Sequence, residues 1–311
     1  DGSFRAIVVP QSIEANTVMF TITIDGIPYH FKKDTDFEYL ANKLNTFTIR
    51  VTKKEHTGEY EFSLSGTEIT DWKEDLNIHE GEARQYYCVT VSNPGTLGRL
   101  IKADKKNPDK IKNLKVSGTI SDSDFYFMRD SMEILEAVNL KESRVLYTKI
   151  DKTETKTYED IIPEKAFSEK KTLFYFTFPE VVKEIGSRAF YNSSISGALV
   201  IPDDVTIINN SAFRGTNITS LTLSPVLEKI DESAFRECNS LTGTLTFPIT
   251  TTYIGFGAFN GCSLSGQLIL PDNLEYLGGY AFCESGKFTG DLRIPDKISK
   301  LGHNTFYNSS F

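Results

Sequence analysis

Residues 197–216 read GALVIPDDVTIINNSAFRGT, and this stretch decides the fold. It holds an apolar run before Pro202, a second apolar spot at Ile208, and an Ala212–Phe213 pair followed by a polar turn. The same order returns about every 23 residues, as shown by Pro179, Pro202, Pro225, Pro248, Pro271 and Pro295, and by Phe167, Phe190, Phe213, Phe235, Phe259, Phe282 and Phe306. A fixed period of this length is typical of a solenoid, in which each unit buries its apolar face by stacking on its neighbours.

The run before each proline predicts a short strand, because apolar side chains alternate along it. Proline suits the end of a strand, since it has no N–H to give to the ladder. We expect the inward side chains to form two ladders in a parallel sheet: Leu199/Ile201, Leu221/Leu223, Leu245/Phe247, Leu268/Leu270 and Leu292/Ile294. We also expect the Ala-Phe pair to form a tight turn that stacks Phe190, Phe213, Phe235, Phe259 and Phe282 in the core.

The outward positions of these strands are free to carry function, because the core does not fix them. The candidate binding face consists of Tyr175, Thr177, Ala198, Val200, Ser220, Thr222, Thr244, Thr246, Gln267, Ile269, Asp291 and Arg293. Small and β-branched residues dominate its first four strands, and such residues also favour a plain solvated sheet. The last two strands carry the most varied chemistry, and arginine beside apolar residues is common at interfaces. We therefore place a hot spot at Gln267, Ile269, Asp291 and Arg293.

The run Ile-Pro-Asp-Asp-Val…Ile…Ser-Ala-Phe-Arg, which starts at Ile201, resembles the BspA-type leucine-rich repeat. This family is found mainly on surface proteins of Gram-negative gut and oral anaerobes. The resemblance implies a curved β-solenoid and a role in adhesion or ligand binding, and it extends over about residues 86–311. Residues 114–140 resemble the capping segment that precedes such repeats. A cap must cover the open end of the solenoid core.

The first 76 residues read as strands. Val18 to Ile24 and Ile27 to Lys32 flank Asp25–Gly26, a signal for a tight hairpin. Further strands are predicted over Phe4 to Val9, Asn45 to Val51 and Glu59 to Leu64, so we expect an antiparallel sandwich. The runs RAIVVPQ (5–11), FTITIDG (20–26) and ITDW (69–72) resemble the fimbrillin-like (major-fimbrium-like) family.

These patterns together predict a mainly β protein. An antiparallel β-sandwich-like module spans residues 1–76 and a polar linker spans 77–85. A helix-containing cap follows over 86–160, and leucine-rich repeats of about 23 residues form a β-solenoid over 161–311.

The cap sequence predicts helices around Leu97, Leu100 and Ile101, and again where Phe125, Met128, Met132, Leu135 and Val138 share one face. Asp122 and Asp124 fit a helix start. They lack the glycine and distal glutamate of a calcium loop. Cys238 and Cys262 fall one repeat apart and could meet as a disulfide. Buried thiols are the alternative, and we predict that all four cysteines are thiols.

Composition excludes several function classes. A formal net charge of −8 and a pI near 5.2 argue against nucleic acid as a partner. No apolar run is long enough to cross a bilayer. No Cys or His pair has zinc spacing, and no nucleophile or phosphate-loop motif occurs. The sequence therefore predicts no enzyme activity, no metal and no cofactor.

Three functions fit this reading. The leading hypothesis is a secreted or outer-surface adhesion protein, with lipid anchoring through a removed N-terminal segment as an option, whose solenoid binds a protein of a host or neighbouring cell. The second is a carbohydrate-binding surface lipoprotein of a glycan-capture system. Tyr175 is the one aromatic residue on the predicted face, which favours a protein ligand. The third is a structural spacer. We also expect residues 290–294 to form an exposed edge strand, covered by another molecule or by chain beyond Phe311.

Overall fold

The structure, a computed structural model, describes residues 86–151 and 154–311, together with six strands among the first 85 residues. Contacts divide the chain into two compact units, Asp1–Gln85 and Tyr86–Phe311. The strands of the first unit are β1 Gln11–Ile13, β2 Val18–Ile24, β3 Ile27–Lys32, β4 Phe37–Tyr39, β5 Thr48–Lys53 and β6 Tyr60–Ser65.

Two antiparallel hairpins of the first unit confirm the sequence prediction. Strand β2 pairs with β3, and β5 pairs with β6. Strand β1 pairs with β4, which the sequence did not predict. The predicted strand from Phe4 to Val9, and the ITDW segment with Trp72, lie outside the described residues.

The second unit begins with the segment that the sequence predicts to be a cap, and residues 86–160 keep that label below. Its elements are β7 Tyr87–Val91, α1 Leu97–Ala103, a 3₁₀ helix Pro108–Lys110, β8 Asn113–Ile120, α2 Asp122–Ser131, β9 Ala137–Asn139, β10 Ser143–Asp151 and β11 Glu154–Glu159. Strands β7, β9 and β10 all run parallel to β8, while β10 and β11 form an antiparallel hairpin. The apolar faces of α1 and α2 are buried.

The buried carboxylate of Asp124 organises the start of both helices. It accepts hydrogen bonds from the backbone N–H groups of Gly95 at 2.7 Å, Leu97 at 2.9 Å and Ser121 at 2.9 Å. These donors stabilise the anion at the N-terminus of α2, where the helix dipole also favours it. Asp124 therefore has a structural role in the cap.

Helix α2 is shorter than the sequence predicts. It ends at Ser131, and Val138 lies in β9, which pairs with β8 and with the first repeat. A distant cation contacts this end: the Lys170 Nζ lies 3.0 Å from the carbonyl oxygen of Arg129 and 2.5 Å from that of Met132. A cation that bonds the last carbonyls stabilises a helix end. Burial lowers the pKa of this lysine.

Each coil of the solenoid contributes two short strands on different sides. In chain order these are β12 Ile161–Ile162, β13 Tyr175–Thr177, β14 Glu184–Ile185, β15 Ser196–Val200, β16 Ile207–Ile208, β17 Asn217–Thr222, β18 Lys229–Ile230, β19 Thr242–Gly243, β20 Tyr253–Ile254, β21 Ser263–Gly266, β22 Tyr276–Leu277 and β23 Gly286–Phe288. Six of these strands form one parallel sheet, in the order β12, β14, β16, β18, β20 and β22. The second residue of each of these two-residue strands is buried in the core.

The strands before the prolines do not form the continuous sheet that the sequence predicts. Strand β13 pairs with β9 of the cap, β15 pairs with β17, and β19, β21 and β23 form a separate sheet. Nearer the prolines of the later coils, one isolated bridge joins Thr246 to Ile269. Residues 290–294 form no strand, so the predicted edge strand there is wrong.

A column of glycines marks the place where these strands are interrupted or shift register. Gly197, Gly243, Gly266 and Gly290 occupy equivalent positions and have φ between +78° and +82°, a region in which other residues are strained. At Gly266 an added Cβ would lie 2.3 Å from the Thr244 Oγ1. A left-handed residue turns the chain out of the extended conformation. In β15 the chain resumes pairing after Gly197 through a register shift, whereas the later coils have a paired segment before the glycine and a largely unpaired segment after it.

The Ala-Phe turn is the most regular part of each coil. The Phe213 N–H donates to the carbonyl of Ala234 in the next coil at 2.8 Å, and its equivalents in the other repeats do the same. All five predicted rings are fully buried. Their centroids lie 5.1 to 5.4 Å apart with interplanar angles of 7° or less. The predicted phenylalanine stack is confirmed.

A column of hydrogen-bond donors lies three residues after each phenylalanine. Ser193 donates to the Phe190 carbonyl at 2.9 Å, Cys238 to that of Phe213 at 3.1 Å, and Cys262 to that of Phe235 at 3.2 Å. All four cysteines are free thiols. Burial raises the pKa of the Cys238 thiol to about 11 and that of Cys262 well above its ordinary value. The two thiols therefore act as protonated donors.

Removing one ring from the stack should destabilise the protein strongly. Phe213→Ala deletes a fully buried ring between two others, and we expect it to lower the free energy of unfolding by about 3–5 kcal/mol. The measurement is chemical denaturation of the purified chain. Phe174→Ala, at an exposed position, is the matched control and should cost less than about 1 kcal/mol. Equal losses in the two variants would contradict a stabilising stack.

Thiol reactivity should separate the exposed cysteine from the buried ones. Cys88 is exposed and the other three are buried, so a thiol reagent at pH 8 should modify one residue in the native protein. After denaturation without reductant it should modify four. Cys88→Ser should abolish the native reaction. A count of two in the denatured protein would instead mean that Cys238 and Cys262 are bridged.

Candidate functional site

The candidate binding face divides into a covered part and an open part. Tyr175 and Thr177 are half-buried, because β13 pairs with β9 of the cap; this corrects their predicted outward exposure. The other ten residues are exposed: Ala198, Val200, Ser220, Thr222, Thr244, Thr246, Gln267, Ile269, Asp291 and Arg293. The inward side chains that alternate with them are buried or half-buried, as predicted. They are Leu199, Ile201, Leu221, Leu223, Leu245, Phe247, Leu268 and Leu270.

One end of this face forms a groove. An open depression of about 420 Å³ is lined by Phe247, Ile249, Gln267, Leu268, Ile269, Leu270, Pro271, Asp272, Asp291 and Arg293. The structure thus brings together all four residues of the sequence-predicted hot spot. The groove lies where the glycine column interrupts strand pairing, because the coils there are joined by the single bridge from Thr246 to Ile269.

Two exposed aliphatic side chains dominate the groove. Ile249 is 58% exposed and Ile269 is 62% exposed. Large apolar side chains that face solvent together, with polar groups around them, are a feature of interaction sites. The walls below them are made by the buried side chains of Phe247, Leu268 and Leu270.

The rim of the groove is charged. The Arg293 Nη1 lies 2.9 Å from the Asp272 Oδ1, and its Nη2 lies 3.9 Å from the Asp296 Oδ2. Both Arg293 and Asp272 are well exposed, so their ion pair contributes little to stability. The guanidinium can therefore exchange Asp272 for a carboxylate of a partner at small cost.

The described residues show no arrangement for metal binding or membrane spanning. Among residues 86–151 and 154–311, no group of three or more His, Cys, Asp or Glu side chains is placed to hold a metal ion. The helices of the described part are too short to cross a bilayer.

Comparison with known families identifies the repeats. The model of the BspA type Leucine rich repeat region matches six copies, over residues 139–244 and 197–311. The chain belongs to the BspA-type leucine-rich repeat family. Residues 1–72 match the Fimbrillin-like family, so both resemblances seen in the sequence are confirmed. BspA-type proteins are typically non-catalytic scaffolds, and both families are typical of cell-surface proteins.

Two solved structures are similar to parts of this BspA-type chain. A leucine-rich repeat protein from T. pallidum is 20% identical, with a TM-score of 0.39 over 50% of this chain and 64% of that protein. A leucine-rich repeat protein from Bacteroides ovatus ATCC 8483 is 18% identical, with a TM-score of 0.43 over 86% of this chain and 69% of that protein. The chain thus spans less than two thirds of the T. pallidum protein. Among curated proteins, none matches the sequence.

The sequence reasoning missed Ile249 and Asp272. Both directly follow a repeat proline, a position outside the predicted strands. The equivalent residues along the BspA-type repeats are Glu180, Asp203, Val226, Ile249, Asp272 and Asp296. Four of these six residues are acidic, so the aliphatic Val226 and Ile249 were the sequence signal for an apolar patch at this position. Ile249 extends the apolar part of the groove beyond the predicted face.

Backbone amides beside the groove should exchange faster than those of paired strands. Ile201 and Ile294 occupy the same repeat position, directly before the proline. The Ile201 N–H donates to the Thr222 carbonyl at 2.9 Å, whereas Ile294 lies in a segment that forms no strand. Hydrogen exchange of the dilute monomer should therefore show more protection at Ile201. Equal protection at the two amides would contradict the interrupted sheet.

Proposed function

We propose that this chain is a non-catalytic adhesion protein, secreted or held on the outer surface, that binds a protein of a host or neighbouring cell through the groove. The observation that carries the proposal is the pair of exposed isoleucines, Ile249 and Ile269, next to the exposed Arg293. Interface hot spots combine a buried apolar anchor with arginine and a surrounding polar rim. Surface location is supported by the families to which the two parts of the chain are similar.

An aliphatic groove favours a protein over a sugar as its ligand. The exposed apolar groups here are isoleucines, which have no flat ring on which a sugar could stack. A protein partner can instead insert an apolar side chain between Ile249 and Ile269 and place a carboxylate on Arg293. The net charge of −8 gives no basis for nucleic-acid binding.

The test is a double substitution in the groove. The purified chain would be screened against a panel of immobilised extracellular-matrix and cell-surface proteins, and the strongest binder titrated. Ile269→Glu with Arg293→Glu places two negative charges in the groove and removes its cation. We expect the affinity for that binder to fall roughly 30-fold or more, as for loss of a hot spot.

Val200→Glu is the matched control. Val200 has the equivalent outward position in an earlier coil and is 60% exposed, but it lies outside the groove. Its affinity should match that of the unmodified chain, with circular dichroism confirming the fold of all variants. If the double variant keeps full affinity, the groove is not the site. If no protein of the panel binds, the spacer hypothesis is favoured over adhesion.

A further inference from the structure

The outer side of the six-stranded sheet carries an aromatic row that the groove does not use. The outward residues of its strands are Ile161, Glu184, Ile207, Lys229, Tyr253 and Tyr276. The rings of Tyr253 and Tyr276 are stacked, with centroids 4.5 Å apart and an interplanar angle of 11°. The Lys229 Nζ lies 5.0 Å from the Tyr253 ring centroid. One end of the stack is therefore covered by a cation.

The other end of this stack is open. Tyr276 is 45% exposed. Within the part of the chain that the structure describes, no third ring or cation lies over it. The hydroxyl groups of Tyr253 and Tyr276 likewise have no protein partner there. The row thus offers a flat apolar face together with free hydroxyl groups.

A second aromatic cluster follows three to four residues later along the same coils. The Tyr280 ring lies 4.9 Å from the His303 ring and 5.3 Å from the Phe256 ring. The Asn304 Nδ2 donates to the Tyr280 hydroxyl oxygen at 2.8 Å. An added Cβ on Gly279 would lie 2.9 Å from the His303 carbonyl and 3.2 Å from its Nδ1, so glycine is needed for this close approach.

Tyr280 lies in the left-handed turn that the coils share. Its φ is +57°, in the left-handed region, where a bulky side chain is unusual. The equivalent residues of the other coils are Lys165, Arg188, Ser211, Ser233, Gly257 and Asn304, none of which is aromatic. The left-handed turn therefore recurs in each coil from Lys165 to Asn304, and Tyr280 is the member of this column that presents a ring.

We infer that these two aromatic clusters form a site for a neutral, pyranose-containing oligosaccharide. One face of a pyranose ring presents C–H groups that pack on an aromatic ring, while its hydroxyls need hydrogen-bond partners. Tyr276 supplies the open ring face. The hydroxyls of Tyr253, Tyr276 and Tyr280, with the exposed imidazole of His303, supply donors and acceptors.

The charge around the row favours a neutral sugar. The Lys229 Nζ is paired with the Asp231 Oδ2 at 3.1 Å, so the cation nearest the rings is already balanced. The exposed apolar groups differ in kind between the two sides of the coils: Ile249 and Ile269 line the groove, whereas Tyr276 lies on this sheet. The proposed saccharide site shares none of its aromatic residues with the lining of the groove.

The experiment uses the whole chain and a printed array of neutral oligosaccharides. The strongest array ligand would then be titrated in solution by calorimetry. Tyr276→Ala removes the open ring and should weaken binding roughly tenfold or more. Tyr276→Phe keeps the ring and should remain within about threefold of the unmodified chain, since stacking on the ring face is retained.

Two controls isolate the site. Tyr307→Ala removes another exposed tyrosine, outside both clusters, and should leave saccharide affinity unchanged. Ile269→Glu, in the groove, should also leave it unchanged, so that failure of either proposal is visible without the other. Absence of any array ligand would overturn the inference. So would full affinity in Tyr276→Ala, or an equal loss in Tyr307→Ala.

Discussion

The solenoid depends on the stacking of one phenylalanine per coil. From Phe190 to Phe282 the rings lie 5.1 to 5.4 Å apart and are nearly parallel. The backbone also joins the coils here, because the N–H of each of these phenylalanines donates to the carbonyl oxygen of the residue that precedes the next ring. The isolated ring pair is worth about 0.5–1.5 kcal/mol beyond its burial. Repeated along the chain, it makes each coil depend on both neighbours.

The other sides of a coil differ in how regularly their strands pair. Hydrogen-bonded strands lie about 4.7–4.9 Å apart, which is closer than the stacked phenylalanine rings. The side with the six-stranded sheet keeps close spacing, and the ring centroids of Tyr253 and Tyr276 are 4.5 Å apart. The side before the prolines keeps strand pairing only in part, because the glycine column interrupts it in the later coils. The six-stranded sheet thus carries the stacked tyrosines, and the side before the prolines carries the open groove.

Much of this arrangement could be predicted from periodicity. The repeat of proline and phenylalanine gave the solenoid, the buried rings and the inward side chains, because packing imposes the same pattern on every coil. Periodicity could not predict which side of the coils carries the continuous sheet. That sheet is built from strands of two residues, such as β20, which are too short to show alternation. The end of α2 is contacted by Lys170, which lies 38 residues after Met132. A contact at that separation leaves no local sequence signal.

The four residues of the predicted hot spot line the groove, while Ile249 and the tyrosine row were missed. Both lie outside the strands before the prolines, where the sequence argument looked for function. Distance from the cap explains why the varied chemistry is found in the last coils. In the first coil, β13 is paired with β9, which half-buries Tyr175 and Thr177 and ties them to the cap. In the later coils that the structure describes, no cap strand pairs with the outward positions. The side chains there can therefore vary without loss of a packing contact to the cap. Residues such as Ile269 and Tyr276 can then differ from coil to coil while the phenylalanine stack beneath them stays the same.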